Sequence, residues 1–564
     1  MSRNVAEAVV DELVDAGVEV VFGLPGVHNL ALFAALDASP IRTIVVRHEA
    51  AAAYAADAVG RLTGRPGVCV TTSGPGAANA ITAMGEAQAS RSPLLHITTT
   101  VARRHLDPER SRGVLHEHPR QRDLFVPVSK VALHAYSGAG AARDIRDALR
   151  AAEAAPRAPA YVELPTDLLD DEAGPAGVSG DGSRRASGLS ANGLDRADPP
   201  EPASSELRAL ADRLAAAERP AIWVGSGAAA CGAAIVALAE RLDAPVVLTH
   251  SAKRRWNAAP HPLVPAYPPH EPPIGELLGE CDTLLVLGSD LDGMMTQEFR
   301  LPLEPILRVD VDPQRAAGDD RYASAQAVVA DAAEVVPALL DLVPERPGGW
   351  GPEAVVAADV AARQALADDP GASGGLAYLS ALDAALGDRD AALVCDMAVS
   401  AYWTGGYLPL RPGRRILYPL GWGTLGFALP ASIGAATAHS GRTLAICGDG
   451  GVLFAIGELA TLAQERLDVT VVVHNDACYG MLRYDEERHF GRTFAVDLQA
   501  PDFAALARSF GVPAWNADLA APDDLQSALT AALATDGPSL VEVTGELSPP
   551  RVTSARWPLV HAAA

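Results

Sequence analysis

The chain has 564 residues, 70 Asp and Glu against 45 Lys and Arg, a formal charge of -25, and 49% hydrophobic residues. That length exceeds one hydrophobic core and calls for about three to four domains of ~150 residues. The negative charge repels phosphate backbones and anionic lipid, which argues against nucleic-acid or membrane partners; any bound diphosphate needs a local cation or a helix N-terminus.

No stretch approaches the ~18 apolar residues of a spanning helix. The opening MSRNVAEAVVDELVDAGVEV spaces its apolar groups as a helix does and not as a signal peptide, so a cytoplasmic location is expected. Cys69, Cys231, Cys281, Cys395, Cys447 and Cys478 form no CxxC pair, and neither a zinc site nor a disulfide framework is expected.

In chain order, the runs VEVVFGL, TIVVRH, GVCVTT, LLHITT, AIWVGSG, PVVLTH, TLLVLGS, ILRVDVD, LAICGD, VTVVVHN and SLVEVTG alternate with helical patterns. Strands this apolar are buried on both faces, which predicts an α/β fold of three doubly wound parallel-sheet domains. Residues 171–205 are rich in Gly, Ser, Asp and Pro and read as an exposed linker; residues 344–374 read as a second, partly helical connector. The domains are then 1–170, 206–343 and 375–552, followed by a frayed tail at 553–564.

Chemistry gathers in two places. Gly448-Asp449-Gly450 follows the strand LAIC and precedes the helical VLFAIGELATLAQ, while VTVVVHN ends at Asn475 with Asp476 next. Both acids therefore stand at carboxyl ends of strands, where open α/β sheets bind ligands. Two hard oxygens there, with glycine beside them, suit Mg2+ on a diphosphate. Taken alone, GDG reads equally well as a turn. In the first domain, Glu49 opens an Ala-rich helix; its plain reading is an acid favourably meeting the helix dipole.

The 27-residue separation of Asp449 and Asp476, the stretch Thr43 to Thr99 and LGWGTLGFALPASIGAA, Leu420 to Ala436, together resemble the thiamin diphosphate-dependent 2-oxo acid decarboxylase and acetohydroxyacid synthase superfamily. The resemblance runs over nearly the whole chain and includes RVDVDP in the middle domain. It implies a pyrimidine-binding first domain, a central Rossmann-like domain and a diphosphate- and Mg-binding third domain. By it, Asp449, Asp476 and the carbonyl of Cys478 ligate Mg2+, and Glu49 activates the cofactor by exchanging a proton with the pyrimidine ring. Leu425 supports the bent cofactor and the Gly423 carbonyl accepts from its amino group. Asn79, Gly448, Gly450, Asn475 and Tyr479 also line the cofactor. FAD is not expected.

Within the superfamily the carboxy-terminal third looks like benzoylformate decarboxylase, yet Val27 and Thr72 stand where that family has its catalytic serine and histidine. Acetohydroxyacid synthases carry a Phe-Gln-Glu segment and a tryptophan where this chain has LHEHPRQRDLF and Asp485, and pyruvate decarboxylases a glutamate where it has Leu482. The amino-terminal third instead resembles guanidino-oxopentanoate decarboxylase through GLPGVHNL, RPGVCVTTSGPG and RGVLHEHPRQRD. The implied pocket is Val27, His28, Thr72, His116, Glu117, Met481, Leu482 and Asp485, with His28 or His116 supplying protons. From the residues alone, His28 equally caps the helix after PGV, and HEH is a solvated loop.

The implied activity is non-oxidative decarboxylation of a 2-oxo acid to an aldehyde through an enamine. Its alternatives are acetolactate-synthase-type carboligation and, more remotely, a cofactor-binding homologue without catalysis. The expected partner is a small 2-oxo acid, and the expected assembly a homodimer or homotetramer with active sites at subunit interfaces.

Overall fold

The computed structural model of the protein describes residues 3–107, 109–174, 201–303, 305–346, 348 and 350–553. Three all-parallel sheets carry the α/β character that the apolar runs predict. The first holds β1 (Val20–Gly23), β2 (Arg42–Val45), β3 (Gly67–Thr71), β4 (Leu94–Thr100), β5 (Val131–His134) and β6 (Ala160–Pro165), in the order β2-β1-β3-β4-β6-β5. The second holds β7 (Pro220–Val224), β8 (Val246–Leu248), β9 (Thr283–Leu287), β10 (Ile306–Asp310) and β11 (Ser324–Val329), in the order β11-β10-β9-β7-β8. In the third, β12 (Ala391–Cys395), β13 (Arg414–Leu417), β14 (Arg442–Gly448), β15 (Val469–Asn475), β16 (Ala514–Asp518) and β17 (Ser539–Thr544) run β13-β12-β14-β15-β17-β16.

Each predicted apolar run lies in one of these strands, because parallel strands joined by helical crossovers are covered on both faces. The strands that no apolar run announces have local reasons. β5, β11, β13 and β16 are edges; β11 alternates between half-buried and exposed positions over Ser324 to Ala327, and β13 and β16 carry arginine, asparagine or aspartate. β6 is internal but carries the buried Glu163.

The connector expected at 344–374 is mostly helix: Trp350–Ala367 and Ala372–Leu386 occupy its greater part. Val355, Ala358, Ala362 and Leu366 are buried at three- and four-residue spacing, so one apolar face holds the first of these helices in place. Positions 175–200 of the linker expected at 171–205, and 554–564 of the tail, lie outside the described residues. Among the described residues no helix is long and apolar enough to cross a membrane.

The chain divides into two compact units. One comprises Met1–Ala197, Pro419–Ser440 and Phe454–Val469; the other Asp198–Tyr418, Gly441–Leu453 and Thr470–Ala564. In the first unit the helix Glu49–Thr63 is capped by the His48 ring, which accepts from Ala50 N at 3.2 Å, and it stops at Gly64 in the left-handed conformation. Its alanines let the helix Ala428–Ala438 approach backbone to backbone, and a Cβ on Gly434 would lie 1.9 Å from the Ala55 carbonyl oxygen. Glu458 secures the helix start by accepting from the backbone N–H groups of Arg47 at 2.9 Å and His48 at 3.1 Å.

Inside the same unit Arg61 is buried between Asp57 and Glu86, donating to Asp57 at 3.0 Å and to Glu86 at 2.9 Å. Glu86 also accepts from the backbone N–H groups of Gly421 at 3.1 Å and Trp422 at 2.8 Å. Burial pushes the Glu86 carboxyl up, but the Arg61 charge and these N–H groups outweigh it and hold it below its usual range. The loop bearing Gly423 and Leu425 thus hangs from a buried carboxylate, with the Trp422 indole over Gly85.

Candidate active site

In the first unit Glu49 sits 8% exposed at the start of its helix, and its Oε2 accepts from Asn79 Nδ2 at 2.9 Å. Asn79 ends the short helix Pro75–Ala78, so the segment from Thr72 to Asn79 brings a donor to the glutamate. A Cβ on Gly76 would fall 3.1 Å from Glu49 Oε1 and 2.6 Å from Thr72 Cγ2, so glycine leaves the room that the carboxylate occupies. Thr72 is buried and its hydroxyl has no hydrogen-bond partner.

The same segment carries Ser73, fully buried, whose hydroxyl lies 2.5 Å from His28 Nδ1 and 3.5 Å from His116 Nδ1. The two imidazoles meet edge to face, with centroids 5.1 Å apart. Burial, and then the neighbouring His116, hold the His28 ring below its ordinary value of 6.5. His28 does not cap the 3-10 turn Val27–Asn29; Asn29 does, its Oδ1 accepting from Gly26 N at 2.7 Å. Val27 is 75% exposed beside the pair.

Glu117, expected in the pocket, folds onto its own loop. Its carboxylate accepts from the backbone N–H of Arg112 at 2.8 Å and of Val114 at 3.1 Å, and from the Ser111 hydroxyl at 3.0 Å. The Arg112 N–H heads the donors that hold this carboxyl low. Gly423 takes φ +68°, and Leu425 stands 37% exposed on the loop held by Glu86.

The second unit, taken by itself, carries Asp449 and Asp476. β14 ends at Gly448 and Asp449 begins the turn of helix Asp449–Val452. Asp449 is 2% exposed; its Oδ1 accepts from Gly450 N at 2.8 Å, and its Oδ2 is buried with no hydrogen-bond partner among the described residues. Burial first, and then the Asp476 charge, push the Asp449 carboxyl up to about 6. An orphaned buried carboxylate oxygen facing a like charge is a site that a divalent cation completes. Among the described residues no group of three or more His, Cys, Asp or Glu side chains is gathered to hold a metal. Two carboxylates with phosphate and water suffice for Mg2+.

After β15, Ala477 turns through φ +53° and Tyr479 N donates to Val496 O at 2.9 Å. Burial, and then Asp476, raise the Cys478 thiol to about 12. The Tyr479 ring lies so close to Gly450 that a Cβ there would be 2.5 Å from it. Asn475 is placed differently from the expectation: its Nδ2 donates to Glu542 at 2.7 Å and its Oδ1 accepts from Ala477 N at 3.3 Å, which fixes the strand end. Met481, Leu482 and Asp485 lie on the helix Gly480–Phe490, with Leu482 53% exposed.

Sequence reasoning did not single out Ser73, Gln121, Glu86 or Glu458 as site residues. Gln121 belongs to the Leu-His-Glu-x-Pro-x-Gln pattern, the one signal that pointed toward it.

Comparison with known proteins agrees with this distribution. Residues 3–124 match the family described as thiamine pyrophosphate enzyme, N-terminal TPP binding domain; residues 207–339 match its central domain and 396–543 its C-terminal TPP binding domain. A probable 2-ketoarginine decarboxylase, AruI, of Pseudomonas aeruginosa is 36% identical over 95% of this chain and 93% of its own. The acetolactate synthase isozyme 1 large subunit of Escherichia coli is 29% identical over 95% and 93%. The acetolactate synthase of Bacillus subtilis is 27% identical over 96% and 93%.

Proposed function

Because the chain belongs to the thiamin diphosphate-dependent superfamily of 2-oxo acid decarboxylases and acetohydroxyacid synthases, we propose that it is a Mg2+-dependent decarboxylase that turns a 2-oxo acid into an aldehyde and CO2. The observation that carries this reading is one segment, Thr72 to Asn79, that serves both Glu49 and a pair of imidazoles on a common hydroxyl. Decarboxylation to an aldehyde requires a proton donor beside the nascent product, and paired imidazoles are suited to that work.

The cofactor supplies the nucleophilic carbon and the electron sink for the departing CO2. Glu49, oriented by Asn79, would exchange a proton with the pyrimidine ring of a bound cofactor, and Leu425, on the loop held by Glu86, would support it. Asp449 and Asp476 would hold Mg2+, with the Cys478 carbonyl as the third protein ligand; the orphaned Asp449 oxygen supports this assignment. His28 and His116 deliver the proton that completes the aldehyde.

The AruI relative favours a 2-oxo acid with a cationic tail, and Asp485 is the acidic group offered to it. The acetolactate synthases among the relatives favour a second reading, in which another carbonyl compound takes the place of the proton. Three domains, 1–170, 206–343 and 375–552, fit the three sheets. A cytoplasmic homodimer or homotetramer with active sites at subunit interfaces follows from the same family reading.

The test is product analysis with pyruvate, an arylglyoxylate and 2-ketoarginine, each alone and with an acceptor aldehyde. The reading predicts the free aldehyde as main product even with acceptor present. Coupled hydroxyketone as main product would establish the carboligase instead.

A further inference from the structure

We propose that Ser73 is a proton-relay residue that joins His28 to His116, so that the two imidazoles work as one neutral proton wire; this rests on the decarboxylase reading above. The Ser73 hydroxyl is buried and stands between two Nδ1 atoms, at 2.5 Å and 3.5 Å. A hydroxyl donates one hydrogen and accepts others, so it bridges the rings when one Nδ1 accepts and the other carries hydrogen. The pair therefore holds opposite tautomers. The longer contact is ordinary for a catalytic hydrogen bond without substrate.

The transfer balances without a charged ring. The ring whose Nδ1 accepts from Ser73 gives its Nε2 proton to the nascent product, and its Nδ1 takes the serine proton. Ser73 Oγ takes the Nδ1 proton of the second ring, and that ring takes a proton at its bare Nε2 from water, whose hydroxide the released CO2 consumes as hydrogencarbonate; the reverse shift through Ser73, with the Nε2 proton passing back through water, restores the two tautomers before the next turnover. Each bond broken is replaced at the next atom, and serine ends with the hydroxyl it began with. Burial and the neighbouring ring, which disfavour a cationic His28, agree with a neutral wire.

The surroundings fix the bridge. Ser73 precedes Gly74, at φ +61°, where a Cβ would fall 2.7 Å from the His116 carbonyl oxygen. The Gly74 N–H donates to Gln121 Oε1 at 2.7 Å. The Gln121 amide in turn donates to Thr99 O at 3.0 Å, Tyr161 OH at 3.0 Å and Glu163 Oε2 at 3.1 Å. Gln121 is 2% exposed, so the turn that presents Ser73 is held from beneath by a dry network.

The experiment compares full-length wild type, Ser73→Ala and Ser73→Thr. Nitrogen-15 solid-state spectra of the histidine-labelled protein without cofactor read the tautomers. An Nδ1–H signal that wild type shows and His28→Gln or His116→Gln lacks, and so distinct from that of His134 on Glu163, is expected to disappear in Ser73→Ala and to persist in Ser73→Thr. With 2-ketoarginine as probe, kcat in mixtures of H2O and D2O is expected to fall along a curve in wild type. In Ser73→Ala it falls along a straight line from a value about tenfold lower or less, with KM little changed. Full kcat with the wild-type curve, or the Nδ1–H signal retained, in Ser73→Ala overturns the relay. Failure of wild type to release CO2 from the probe overturns the decarboxylase reading instead, and the spectra still judge the relay.

Discussion

Replacing Asp449 by asparagine removes a charge that the folded chain without metal holds at a cost. The carboxyl rises from 3.8 to about 6 through burial and the Asp476 charge, which corresponds to as much as about 3 kcal/mol of destabilisation once both states are ionised. Because the folded value is the raised one, the favourable contribution is complete below about 3.8 and is lost as pH rises through about 6. Wild-type protein in EDTA therefore loses stability between pH 4 and pH 6.5 through this group. Asp449→Asn should unfold at higher temperature than wild type at pH 7.5 in EDTA, and the difference should vanish near pH 4. Adding Mg2+ and thiamin diphosphate should reverse the order, because bound ligand stabilises only the protein that binds it. Differential scanning calorimetry of both proteins at the two pH values, with and without ligands, reads all of this. A variant less stable than wild type in EDTA at pH 7.5, or one stabilised equally by Mg2+ and cofactor, would refute the reasoning.

Glu49→Gln should bind cofactor normally yet lose proton exchange at its reactive carbon, measured by deuterium uptake followed by NMR. Asp476→Asn keeps an oxygen ligand and should retain Mg2+-dependent activity, whereas Asp476→Ala should need at least about tenfold more Mg2+ for half activation, as a metal titration would reveal. Leu425→Ala removes a partly exposed side chain and should change stability by under about 0.5 kcal/mol while lowering kcat, a split read by melting and kinetics together. Gly434→Ala forces a methyl against the Ala55 carbonyl and should destabilise by about 1–3 kcal/mol, seen as an earlier thermal transition.

The sheets were legible because buried parallel strands are written as unbroken apolar runs, and the edges β11, β13 and β16 were not, since an edge tolerates polar residues. The helices within 344–374 hid behind PERPGGWGPE and DDPGASGG, whose prolines and glycines flank elements that burial stabilises. The positions of Asp449 after a strand and of Glu49 at a helix start were legible, because each stands at an element terminus within a spaced motif. Glu117 spends its carboxylate on its own loop for a physical reason: an acid in a loop finds nearby backbone N–H groups. Asn475 likewise spends its amide on Glu542, a partner 67 residues away that no local pattern announces. Ser73 was not legible, for its place between two histidines exists only once residues 28, 73 and 116 are folded together.

Incubation of the protein with 2-ketoarginine labelled with carbon-13 at its carboxyl carbon, Mg2+ and thiamin diphosphate tests the central claim most directly, with labelled CO2 and aldehyde followed together by NMR. The account predicts equal amounts of both, dependent on both added cofactors. Bound cofactor with no labelled CO2 from this acid, or from pyruvate and an arylglyoxylate labelled in the same way, would contradict it.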